Sequence, residues 1–189
     1  MRRILVSESL SLDGVFEAPA KLPGEPYPLA GWAEGYQSQE QNEYLAKGLG
    51  SGGALLLGRV TYEHMRQGWE HATGPVADFM NNAPKFVASR TLRQADWQNT
   101  TLLAGDAVEA VRALRAQPGK DLAILGSGQL ANALRAAGLI DEYSLLVFPL
   151  VLGQGQRFFT GEARTGLKLK EAKPFSSGVV LLTYVPEGK

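Results

Sequence analysis

The chain reads as an α/β protein whose mixed, mostly parallel sheet ends in a C-terminal antiparallel hairpin. Three observations predict this. Up to residue 148, short apolar runs alternate with segments whose apolar residues recur at helical spacing, the pattern of strand and helix in turn. Beyond residue 150 the helical spacing stops, and two strand-like runs, 167–173 and 179–185, flank Ser176, Ser177 and Gly178 as a hairpin. Between these regions the stretch 121–137, DLAILGSGQLANALRAA, combines an apolar run, a Gly126-Ser127-Gly128 turn and a helical run. A strand, a tight turn and a helix start suit a pyrophosphate: Gly126 permits the turn, and Gly128 lets the backbone approach an anion held by first-turn N–H groups. The same turn also fits simple packing, with the glycines only relieving crowding.

In chain order, Ile4, Leu5 and Val6 open a first strand that alternates through Leu10. Residues 13–35 hold Pro19, Pro23, Pro26 and Pro28 with Gly14, Gly24 and Gly31, too many breakers for a regular element. Because Phe16, Tyr27 and Trp32 gain by covering something apolar, this segment is expected to lie across a cleft, an ordered surface excursion or a dimer contact being the alternatives. A helix is predicted over 36–49, ended by Gly48, Gly50, Gly52 and Gly53. These glycines mimic a dinucleotide fingerprint, but a helix precedes them and a strand, 54–57, follows, which is the wrong order. Thr61 is the expected N-cap of a short helix over 62–66, with Trp69 just beyond. The next helix starts near Pro75 and runs to Asn82, with Val76, Phe79 and Met80 on its apolar face. Strands are predicted at 85–88 and 100–103. Asp106 caps a helix carrying Val108, Val111 and Leu114, stopped by Pro118-Gly119. The strand at 122–125 and its helix follow, then a strand at 143–148.

Composition narrows the chemistry. The 189 residues carry 19 Lys+Arg and 19 Asp+Glu, so no overall field recruits nucleic acid or an anionic membrane. There is no Cys, which excludes disulfides, thiolate nucleophiles and iron–sulfur clusters, and the two His, His64 and His71, form no metal-binding motif. The length suits one domain over 1–189, and the N terminus lacks a long apolar stretch, so a cytoplasmic protein without a metal is expected. A P-loop and a GxSxG nucleophile are both missing. A soluble nicotinamide carries its own hydride and asks for few protein groups, so an oxidoreductase remains compatible with this composition.

Three strands end in anion-friendly sequence: Gly58-Arg59-Val60-Thr61, Ser89-Arg90 and Gly126-Ser127-Gly128. In open α/β sheets ligands gather at such carboxyl ends. Arg59 and Arg90, with the hydroxyls of Thr61 and Ser89, would suit a further phosphate, since a guanidinium makes two parallel charge-assisted bonds. An adenosine 2′-phosphate is the obvious candidate, which favours NADP over NAD.

The stretches SLDGV (11–15), LLLGRVTYE (55–63), KFVASRTL (85–92), LAILGSGQLANAL (122–134) and LIDEYSLLVFPLVLGQGQRFF (139–159) make the chain resemble the dihydrofolate reductase-like group. That group includes the C-terminal reductase domain of the bacterial riboflavin-biosynthesis deaminase/reductase. The resemblance covers almost the whole chain. It implies a three-layer dihydrofolate reductase-like fold and an NADPH-dependent reductase of a pteridine- or pyrimidine-like substrate, often paired as a homodimer. It places Gly58, Arg59, Val60 and Thr61 at the cofactor phosphates, Ser89 and Arg90 toward the 2′-phosphate, and Gly126, Ser127, Gly128 and Gln129 around the pyrophosphate. The loop after Asp13 resembles one that closes on the nicotinamide; a small planar substrate is then expected beside Asp13, stacked against Phe16, Trp32 or Tyr36, although these aromatic residues equally fit core or interface positions. Dihydrofolate reductases hold the pterin with a carboxylate on the first helix; ungapped spacing lands here on Asn42. Glu40 and Glu43 are then the nearest candidates for the acid. A non-catalytic nucleotide-binding scaffold is the rival reading.

Overall fold

The computed structural model describes residues 1–22, 24–50 and 53–188, with the side chains of 46–50 outside that description. Pro23, Gly52 and the side chain of Leu49 therefore lie outside the described residues. Thirteen elements follow in order: β1 Ile4–Ser11, α1 Gln39–Gly50, β2 Ala54–Gly58, α2 Arg59–Trp69, α3 Pro75–Asn82, β3 Lys85–Ala88, β4 Thr100–Leu103, α4 Ala107–Ala116, β5 Leu122–Leu125, α5 Gly128–Ala136, β6 Glu142–Phe148, β7 Leu167–Pro174 and β8 Val180–Pro186. They form one sheet in the order β4-β3-β2-β5-β1-β6-β8-β7. The six strands from β4 to β6 are parallel, and β8 and β7 join antiparallel, as the sequence predicts.

The alternation of each strand divides the core between two faces. On one face Ile4, Val6, Leu56, Leu122, Ile124 and Leu145 pack with Val111 and Leu114 of α4 and Leu130 and Leu134 of α5. On the other, Leu55, Leu57 and Val87 pack against Tyr62 of α2, Met80 of α3 and Trp97. Farther along that second face, Leu146, Phe148 and Leu181 are covered by Trp32, Tyr36 and Tyr44. Helices on both sides of the sheet make the three-layer arrangement.

Three local expectations are corrected. α1 begins at Gln39 because Ser38 caps it, its Oγ accepting from Gln41 N–H at 3.2 Å, so Tyr36 stays in the loop; the helix then runs through Gly48 to Gly50. α2 begins at Arg59 with Gly58 as N-cap, so Thr61 lies in its first turn and is not the cap. The same helix reaches Trp69, and Trp69 lies inside it.

Candidate functional site

Parallel strands put their carboxyl ends on one edge, and β3, β2 and β5 are neighbours there. The segments after them therefore meet. Ser127 N–H donates to Thr61 Oγ1 at 2.9 Å, and Gly58 N–H donates to Ser127 Oγ at 3.0 Å. These two bonds tie the start of α5 to the start of α2. The tie depends on backbone shape: Gly126 has φ +59° and Ser127 φ +55°, both left-handed. A side chain at Gly126 would also meet Thr61 Cγ2 at 3.0 Å, and one at Gly128 would meet Phe16 Cζ at 2.7 Å.

The electrostatics of this edge are set by what the two helices lack. Neither α2 nor α5 has a side-chain cap bond or an acidic residue in its first turn. By contrast α4 is capped by Asp106 and carries Glu109 in its first turn, α1 carries Glu40, and α3 carries Asp78. Two adjacent helix N-termini are thus left with unneutralised N–H dipoles aimed at one edge, the arrangement an anion requires. Arg59, Val60 and Gln129 are exposed beside them. Arg59 is held at 2.8 Å by Glu63. Ser89 Oγ accepts from Thr91 and Leu92 N–H at 3.2 and 2.9 Å, shaping the turn that presents Arg90 to solvent. All ten residues expected at the phosphates sit on this edge. Cavities of about 380 and 300 Å³ lie elsewhere, beside Trp97 and Tyr143, and Glu70, Asp78 and Asp96 rim the first with charge that opposes an anion.

The residues expected to face a substrate do not form one group. Asp13 accepts from Leu152 and Gly153 N–H at 3.1 and 3.0 Å and from Ser11 Oγ at 2.7 Å. The Leu152 N–H, followed by the Ser11 hydroxyl, holds its carboxyl at about 2. Asp13 therefore anchors the loop. Phe16 packs on Gly128 and edge-on to Phe158, with ring centroids 5.4 Å apart, on the α5 side of the sheet. Trp32 and Tyr36 stand on the opposite face, each edge-on to Phe148, and Trp32 is buried with its Nε1 donating to Glu17 O. Glu40 pairs with Lys173 of β7 at 3.1 Å, and Glu43 accepts from Gln39 at 2.8 Å. Both carboxylates are exposed, and Glu40 is held at the far edge of the sheet. The structure does not bring them to the glycine turn.

What the linear reading misses is the floor between these parts. On the α2 face, Ser7 and Ser9 of β1 point up half-buried, in register with Leu125 of β5 and with Ser144 and Leu146 of β6. Ser144 bonds the Tyr44 hydroxyl, and Thr183 of β8 continues the row, buried. The signal is present in the sequence: SESLS places Ser7, Ser9 and Ser11 on one face of a strand.

The breaker-rich loop spans this region as a strap. Its start is clamped to the C-terminal segment by the Val15–Arg157 bridge and by Phe16 N–H to Gln156 O at 3.0 Å. Its middle reaches α2, where Glu25 meets His64 at 3.0 Å and Leu22 lies against Gly68. Tyr27 returns it to Gln154 O at 2.9 Å. Glu25→Ala is expected to free the middle alone, read as faster proteolysis within 17–26 with the melting temperature nearly unchanged. An unchanged cleavage rate would refute the strap.

An eight-stranded sheet with this order, parallel but for its last two strands and covered by helices on both faces, defines an α/β protein of dihydrofolate reductase-like fold. The model of the RibD C-terminal domain family matches residues 2–181, and the chain belongs to that family. YyaP of Bacillus subtilis, an uncharacterized protein, is 36% identical over 107 residues, 56% of this chain and 56% of YyaP, so the aligned part spans about half of that relative. Among solved structures, a Shewanella sp. PV-4 protein named for riboflavin biosynthesis superposes with TM-score 0.75 at 20% identity, over 98% of this chain and 99% of its own. Dihydrofolate reductase from Enterococcus faecalis, solved with NADP(H), superposes with TM-score 0.64 at 16% identity, over 98% and 96%. The shared fold thus extends to a dihydrofolate reductase. No described helix is long and apolar enough to cross a membrane.

Proposed function

We propose that the protein is an NADPH-dependent reductase of a small planar heterocycle, pteridine- or pyrimidine-like, or of a carbonyl compound. The observation that carries this is the pair of uncapped, acid-free helix starts cross-tied at neighbouring strand ends. Arg59 to Thr61, with Gly128 and Gln129, offer first-turn backbone N–H groups to the pyrophosphate while Gly58 and Ser127 hold the two turns together, and Ser89 and Arg90, with Arg59 nearby, face the 2′-phosphate. When bound, NADPH supplies the hydride. Ser7 and Ser9 orient the substrate through neutral hydroxyl groups, and the strap excludes bulk water from above. The proton that accompanies the hydride comes from water on this floor, since Glu40 and Glu43 are engaged elsewhere. The same proposal includes a homodimer, supported by exposed Leu12 and Val151, 66% and 67% accessible on neighbouring segments; light scattering tests it.

Arg90→Ala or Arg59→Ala is expected to cost about 1.5–3 kcal/mol of NADPH affinity, the size of a charge-assisted bond, with NADH affinity nearly unchanged. Equal losses for both nucleotides would remove the 2′-phosphate assignment. Loss of NADPH absorbance with dihydrofolate, quinone or pyrimidinone substrates tests the reductase itself. Saturable binding without turnover on any of them would favour the non-catalytic scaffold, a reading supported by the floor's lack of a carboxylate.

A further inference from the structure

Glu8 lies where β1 outruns β5: residues 4–7 pair with β5, while 8–11 pair with β6 alone. Its side chain points to the α5 side and is 8% exposed. Oε1 accepts from Ser9 N–H at 3.2 Å, and the backbone N–H of Gly126, the first residue of the turn, lies near enough to the carboxyl to favour its charged form. Oε2 is buried without a hydrogen-bond partner among the described residues.

Among the described residues, no charged group on the elements around Glu8 pairs with its carboxyl, and the Tyr143 hydroxyl is itself buried without a partner. On α5, Arg135 is spent on Asn132 and on the carbonyls of Thr160 and Ala163. Tyr143 of β6 is a neutral phenol, pushed up to about 12 by burial. β5 carries no titratable residue. In the flanking loops Arg157 stands 3.9 Å from Asp13, and Glu17 accepts from Gln156 N–H at 2.8 Å. A carboxylate buried without a cation is disfavoured against the acid, and burial raises Glu8 to about 8 despite the N–H groups of Ser9 and Gly126.

We propose that Glu8 is the positioning residue of the glycine turn and works as a neutral acid: protonated, it holds Gly126 N–H from behind; ionised, it opposes an anion bound in front. This rests on the phosphate reading of the turn. The conformation of the turn and the charge behind it are thereby joined in one side chain. Binding of an anionic nucleotide is linked to retention of the Glu8 proton.

The test is NADPH affinity of wild type and Glu8→Gln from about pH 6.5 to about pH 9.5, where the linkage must show. Wild type is expected to lose about tenfold across this range, the scale of a unit charge acting over several ångströms of protein. Glu8→Gln, which keeps the shape and cannot ionise, stays flat, and the comparison cancels other groups that titrate. Superimposable profiles would overturn the proposal. If neither protein binds NADPH at any pH, the phosphate reading fails and the proton is judged without ligand. The folded acid then outlasts its unfolded counterpart, so wild-type melting temperature should fall relative to Glu8→Gln as pH rises from 4.5 to about 8 and level off above it. Parallel curves would overturn it. Should Glu8→Gln not fold, carboxyl ¹³C spectra of glutamate-labelled wild type decide: one carbon titrating near pH 8 supports the proposal, and none above about pH 6 overturns it.

Discussion

Lys85→Ala is expected to destabilise the fold by about 3–5 kcal/mol, read as a shifted denaturant midpoint at unchanged slope. Lys85 is fully buried at the start of β3. Its Nζ donates to the carbonyls of Asn81, Ala83 and Gln98 at 3.0, 2.9 and 3.1 Å, and it stands 4.4 Å from the centre of the Trp97 ring. Asn81 in turn accepts from Trp97 Nε1 at 2.7 Å and donates to Trp69 O. One ammonium therefore fastens the end of α3 to the segment leading into β4. Removing it opens a cavity and leaves carbonyls without their donor. Burial lowers the Lys85 pKa to about 8, so holding the charge also has a cost. Lys85→Met, which keeps the volume and deletes that cost, should recover more than half the loss. A Met variant as unstable as the Ala variant would show that the three carbonyl bonds dominate.

Gly128→Val is expected to cost about 2 kcal/mol of stability through overpacking, and at least about tenfold in NADPH affinity. The new Cβ would lie 2.7 Å from Phe16 Cζ and 3.1 Å from Cε1, and Phe16 is braced by Phe158. Either the ring or the first turn of α5 must retreat, and the first turn carries the N–H groups aimed at the phosphates. Phe16→Ala in the same chain should return most of the stability, because the clash is pairwise. Additive losses in the double variant would place the strain elsewhere.

The strand, turn and helix around Gly126 are legible in the sequence because every signal there is local: an apolar run, glycines at φ-demanding positions, and apolar spacing. The three strand ends are legible too, but their adjacency belongs to the sheet order, which inserts β5 between β1 and β2. Thr61 resembles a cap because its actual partner, Ser127 N–H, is 66 residues away and invisible to local spacing. Ser38 is the cap that local spacing does offer, with Gln41 three residues on, yet the apolar character of Tyr36 draws the predicted boundary too early. Phe16 and Trp32 read alike as aromatic loop residues and end on opposite faces of the sheet. Glu8 reads only as an interruption in an apolar strand; that it is buried follows from pairing with β6 and from the turn above it.

Backbone amide shifts recorded while NADPH is added test the cofactor site most directly. The largest changes should cluster at residues 58–61, 89–90 and 126–129, and NADH should reproduce those at 126–129 while sparing 89–90. Saturable binding that moves amides around Trp97 or Tyr143 and leaves all three segments still would contradict the shared cradle.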